Sequence, residues 1–178
     1  ALSSAASDVY KRQAQAWVRG YQGNDLSADT TLMACVKHYA LYGAAEAGRD
    51  YNTVDMSRVT AMNYYMRPYQ AAVEAGVGSI MTSFNEFESI PATGNTWLLN
   101  DVLRKQWGFN GFVVSDFTAI AEMVNHGIGN SQEVGVKALK AGVDMDMIAD
   151  CYHAVLKKSL EEGKITAVSY THLTLPTI

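Results

Sequence analysis

Two spacings of apolar side chains alternate along this chain. Short runs at 31–39, 79–84, 112–114 and 143–148 are apolar almost throughout, with the β-branched and aromatic content of buried strands. The stretches between and after them repeat at helical intervals, at 56–75, 96–107, 119–124, 131–141 and 150–162. Asp55 or Ser57 is placed to cap the first of these helices, and Pro68 is expected to kink it. In the next, Trp97, Leu98, Val102 and Leu103 share the buried side. Thr118 and Ser131 are candidate caps further on, and Gly163 closes the last helix. An earlier helix is read at 14–22, with Trp17 and Val18 on its apolar side, whereas 1–13 introduces no clear element. Segments 42–53, 85–95 and 125–130 read as loops.

Continuous apolar strands joined by crossover helices predict a parallel sheet buried on both faces, hence an α/β fold. Four such units are half of an eight-stranded (β/α)8 barrel of the TIM type, whose complete form needs about 250 residues. A self-contained doubly wound sheet is the alternative.

Composition narrows the function classes. The 178 residues are 48% hydrophobic and 18% charged, enough for one domain with a real core. A net charge of −4 without a basic run argues against nucleic acid as a partner. No apolar run reaches the length of a membrane span, and 1–13 lacks the order of regions that marks a signal peptide. Ten tyrosines and three tryptophans suit a sugar cleft or an ordinary core. Cys35 and Cys151 imply neither a disulfide framework nor a zinc site, and Cys35 reads as a small buried hydrophobe. No histidine–carboxylate cluster has metal-ligand spacing, and no glycine loop is built to cradle phosphate, so no metal or cofactor is expected.

The chemistry concentrates where strands end. The first run stops at Lys37-His38, the second at Asn85 after Met81 and Phe84, and the third at Ser115-Asp116; the fourth carries Asp144 and Asp146. In a parallel sheet these ends meet on one face, where barrels and open α/β folds keep their sites. Asp116 is either a functional carboxylate there or a cap for the helix behind it. A lysine beside it would hold it ionised, which suits a nucleophile rather than a general acid. His38 can donate to a substrate hydroxyl. Arg49 and Asp50 lie on the loop over the same face, either near substrate or as an exposed ion pair. Met81 and Phe84 are expected as walls. Structural roles are expected for Asp144 and Asp146, and solvated ones for Glu86 and Glu88.

Taken together, several ordered motifs resemble glycoside hydrolase family three, and within it bacterial β-glucosidases of the periplasmic type. They are Lys37-His38-Tyr39, Tyr42-Gly43-Ala44, Gly48-Arg49-Asp50-Tyr51-Asn52-Thr53-Val54-Asp55-Met56-Ser57, Pro91-Ala92-Thr93, Trp97-Leu98-Leu99, Asp101-Val102-Leu103-Arg104, Gln106-Trp107-Gly108-Phe109 and Gly111-Phe112-Val113-Val114-Ser115-Asp116. The resemblance implies the C-terminal half of the family's N-terminal (β/α)8 domain, over 14–167. It implies a retaining exo-β-glycosidase acting on a terminal β-linked sugar, with Asp116 as nucleophile. Lys37 and His38 fall on a pair that bonds sugar hydroxyls, Asp50 near an acidic position of the subsite loop, and Met81 and Phe84 on the cleft lining. The family's acid/base is a glutamate of a later α/β domain, so none is expected in this chain, and the front half of the barrel is also expected elsewhere. A periplasmic or secreted location follows from the same resemblance. Glu88-Ser89 stands where relatives carry an acidic or amide residue followed by glycine. Segments 1–13 and 168–178 do not fit the family pattern and are expected to be non-native. A β-xylosidase specificity and a non-catalytic sugar-binding half-barrel are the alternatives, and the isolated chain is expected to be inactive.

Overall fold

The structure, a computed structural model, describes residues 2–171. Helix α1 spans Leu2–Gln22, reaching well ahead of the predicted start at 14. Its buried side is a stripe at four-residue intervals, Ala14, Val18 and Gln22. Trp17, expected beside Val18 in the core, is instead 66% exposed. Gln22 staples the helix to the sheet: its Nε2 donates to the Gly76 carbonyl, and its Oε1 accepts from the amides of Ala34 and Gly78.

The main sheet has three parallel strands in the order β1 (Cys35–Tyr39), β3 (Ser79–Thr82), β6 (Phe112–Val114). Ile80 of β3 pairs with Val36 on one side and Val113 on the other. The middle strand is the most buried, because a strand flanks it on each side. The first strand begins four residues later than predicted, because among the described residues no strand pairs with the outer edge of β1, and Leu32 and Met33 lie exposed beside it. For the same reason Cys35 is exposed, contrary to the expected buried role. The fourth predicted strand is reduced to one parallel bridge, Val114 to Met145.

A second, smaller sheet is built from the loops that leave β1 and β3. Strand β2 (Thr53–Val54) runs parallel to β4 (Glu86–Phe87), which pairs antiparallel with β5 (Ile90–Pro91). Segments 42–53 and 85–95, read as loops, are therefore partly ordered by each other.

The crossover predicted as one helix over 56–75 is two. Ser57 caps α2 (Arg58–Thr60) by accepting from the Thr60 amide. The chain then widens over Ala61–Tyr65, where the Met66 amide bonds the Ala61 carbonyl five residues back. Helix α3 (Arg67–Glu74) carries Pro68 in its first turn, where a missing N–H costs least, so the chain breaks before the proline rather than at it. The next crossover, Trp97–Gln106, is also wide-wound and buries Leu98, Leu99, Val102 and Leu103; Trp97 is only half-buried.

Helix α4 (Ala119–Glu122) follows β6, and α5 (Ser131–Ala141) starts from a capping box. The cap is Asn130, one residue before the predicted Ser131; its Oδ1 accepts from Gln132 and Glu133, and Glu133 bonds back to the Asn130 amide. Helix α6 (Cys151–Glu161) packs on α5, and α7 (Ala167–Thr171) follows. The expectation for 168–178 thus meets a helix at its start and otherwise lies outside the described residues. Among the described residues no helix is long and apolar enough to cross a membrane.

Candidate active site

The site is assembled at the carboxyl ends of β1, β3 and β6. The last of these delivers Ser115 and Asp116. Ser115 is fully buried; its amide donates to the Met145 carbonyl, and its hydroxyl oxygen accepts from the Met147 amide. This ties the strand end to the segment standing in for the fourth strand. The Asp116 side chain is 13% exposed. Its Oδ1 accepts from the adjacent Phe117 amide at 2.6 Å. Its Oδ2 faces His38 Nε2 at 3.4 Å. The carboxylate does not serve α4 as a cap: Thr118 occupies the cap position in a left-handed conformation, with no side-chain cap bond.

His38 is held from behind. Its carbonyl accepts from the Tyr69 hydroxyl at 2.6 Å, and its ring meets Tyr42 edge-on at 5.3 Å. Both the Lys37–His38 and Tyr39–Ala40 peptide bonds are cis. Burial pushes the Tyr69 phenol up to about 12. The Tyr42 phenol is also pushed up to about 12, first by burial, then by its bond to Asp50 and the negative charges of Asp50 and Asp116. Asp50 thus enters the site through Tyr42. Tyr51 is raised as well, by burial and then by Glu122, Asp50 and Asp116. Phe84 packs between the two tyrosines, 4.6 Å from Tyr51 and 6.0 Å from Tyr42.

The predicted residues therefore divide. His38, Asp50, Phe84 and Asp116 come together. Met81 lies half-buried, opposite Val114 in register and so one strand away from Asp116. Lys37 is exposed and lines a cavity of about 520 Å³ with Trp17, Tyr21, Leu32 and Cys35, on the unpaired side of β1. Arg49 is exposed, and among the described residues neither Lys37 nor Arg49 forms an ion pair. Asp144 and Asp146 are structural. Asp144 accepts from Arg104 and the Val113 amide, and Asp146 accepts from the Cys151 and Tyr152 amides at the start of α6. Burial raises the Asp146 carboxyl.

Tyr42 and Tyr51 were missed as site residues, although their places four residues after His38 and next to Asp50 were the available signal. Glu86 corrects the expectation of a solvated side chain: it is half-buried between Thr53 and His126. Glu88 is exposed and pairs with Arg58, as a solvated loop residue does. Among the described residues no group of three or more His, Cys, Asp or Glu side chains could hold a metal ion.

The sequence profile of the glycosyl hydrolase family 3 N-terminal domain matches residues 3–172. The chain belongs to this family. It is 46% identical over 150 residues to a periplasmic β-glucosidase of Salmonella typhimurium, a match covering 84% of this chain and 20% of that protein. To a β-xylosidase of Formosa agariphila it is 38% identical over 152 residues, covering 82% of this chain and 21% of that protein. A crystal structure of a β-glucosidase from Listeria innocua has a TM-score of 0.87 at 44% identity, covering 89% of this chain and 22% of that one. The same enzyme's complex with glucose superposes with a TM-score of 0.87. This family 3 chain therefore spans about a fifth of the length of the curated relatives it matches. Its α/β fold with a parallel sheet is that of its family neighbours.

Proposed function

We propose that this chain is the nucleophile-bearing segment of a retaining exo-β-glycosidase that hydrolyses terminal β-linked sugars. The observation that carries the reading is the half-buried Asp116 carboxylate at the end of β6, with Oδ2 turned to His38. Retaining hydrolysis uses two carboxyl groups about 5 Å apart, one attacking the anomeric carbon and one protonating the leaving oxygen. Asp116 attacks, forming a covalent glycosyl-enzyme, and the Phe117 amide on Oδ1 fixes the orientation of its carboxylate. His38 bonds a sugar hydroxyl beside it. Asp50, braced by Tyr42, Met81 and Phe84 shape the cleft. Lys37 and Arg49 join the hydroxyl-binding set once the rest of the site is in place.

The acid/base comes from outside this chain, as does the front half of the barrel. Two features support that reading. The relatives are about five times longer than the matched stretch. The unpaired side of β1 carries exposed Trp17, Tyr21, Leu32 and Met33, apolar area that a neighbouring strand and helix would cover. The domain proper is 14–167, and it forms the C-terminal half of a (β/α)8 barrel. The name of the Salmonella relative supports a periplasmic or secreted location.

Glucose and xylose remain the two candidate sugars, because relatives of both names match this chain. Assaying the full-length protein with aryl β-glucoside and aryl β-xyloside separates them. Asp116→Asn is expected to reduce turnover of either to background, with the isolated chain inactive on both. Retained turnover in Asp116→Asn contradicts the assignment.

A further inference from the structure

Glu86 sits at a junction of three loops. Its Oε2 accepts from Thr53 Oγ1 at 2.9 Å, and its Oε1 lies 2.7 Å from His126 Nδ1. A carboxylate only accepts, so Nδ1 carries the proton of this bond. The Glu86 and His126 side chains are 19% and 15% exposed. A carboxylate that poorly hydrated is costly unless its oxygens are satisfied, and here both are. Each Glu86 oxygen is thus engaged by a partner within the protein.

Each partner belongs to a different wall of the site. Thr53 opens β2, two residues after Tyr51. Glu86 opens β4, two residues after Phe84. His126 follows α4, the helix behind Asp116. Strands β2 and β4 pair directly at Thr53 and Glu86, and the rings of Tyr51 and Phe84, two residues before each, meet tilted at 51° with centroids 4.6 Å apart. The bond to His126 is the link from this paired unit to the segment that follows Asp116.

We propose that Glu86 is a positioning residue that sets the distance between the Tyr51–Phe84 wall and Asp116 by bridging Thr53 to His126. The inference rests on the glycosidase reading above. Loosening the bridge lets the wall drift from the nucleophile, which weakens substrate binding and leaves the attacking carboxylate itself unchanged.

The test is steady-state kinetics of the full-length protein on an aryl β-glucoside. Glu86→Ala is expected to raise KM about tenfold, equivalent to about 1.4 kcal/mol, with kcat within about twofold of wild type. Glu86→Gln should restore most of the loss, because its amide oxygen can accept from His126 Nδ1 while its NH2 donates to the Thr53 hydroxyl oxygen. His126→Ala should raise KM by itself, and should add little in the Glu86→Ala background, since both changes break one bridge. A merely structural role would lower kcat through a smaller folded fraction and leave KM alone. An unchanged KM in both Glu86→Ala and His126→Ala, with wild-type turnover intact, overturns the inference and spares the glycosidase reading. Absence of wild-type turnover on aryl β-glucoside and aryl β-xyloside overturns both.

Discussion

Tyr69 reaches across from α3 to hold the backbone of the histidine that faces Asp116, so its protonation state matters to the site. Its hydroxyl donates to the His38 carbonyl, and burial pushes its pKa from the ordinary 10.0 to about 12. A phenol whose pKa rises on folding contributes stability that is fully present below pH 10 and is lost as pH rises through about 12. Tyr39 and Tyr152 are also raised by burial, so the whole alkaline limb is not Tyr69's alone. Tyr69→Phe should therefore show a shallower loss of stability across that window than wild type, measured as unfolding free energy against pH. An identical slope contradicts the assignment. At this scale Asp116 was legible, because an apolar run that stops at a polar pair marks a buried strand surfacing. Tyr42 and Tyr51 were not, because their roles depend on a loop folding back over the strand ends. Lys37 was expected near Asp116 because the strand ends of a parallel sheet meet on one face; here it is exposed and lines the cavity along the unpaired side of β1.

Among the elements, the β4–β5 hairpin turns through Glu88 and Ser89, both with positive φ, at 55° and 60°. A two-residue turn with both central residues in that region favours Asn or Gly, because a Cβ there crowds the backbone. Ser89→Gly should stabilise the full-length protein by about 0.5–1 kcal/mol, the relief of the strained conformation exceeding the greater chain entropy of glycine. Chemical denaturation checks this, and an unfolding midpoint shifted downward contradicts it. The departure from glycine at this turn was visible in the sequence, and its consequence is a strained turn rather than a lost one. Helix existence was legible at nearly every crossover, since the apolar spacing is strong. The breaks were not. The wide windings at 61–65 and 97–106 are not encoded by local propensity. The cap of α5 shifted by one residue because Asn130 completes a capping box with Glu133, and Ser131 does not.

For the whole molecule, the parallel sheet and the meeting of three strand ends followed from pattern alone. The fourth strand did not form beyond one bridge; in 143–148, Asp144 answers Arg104 and the Val113 amide, and Asp146 answers the start of α6. The open side of β1 and the greater length of the relatives support the proposal that the remaining catalytic parts lie outside this chain. The central claim is that Asp116 forms the bond to the sugar. Its most direct test is to treat the full-length protein with a 2-fluoro glycoside that is attacked quickly and released slowly, then map the adduct by peptide mass spectrometry. The account predicts one fluoroglycosyl adduct, on the peptide carrying Asp116 and on that side chain. An adduct on another carboxylate, or turnover of the reagent with no adduct on Asp116, would contradict it.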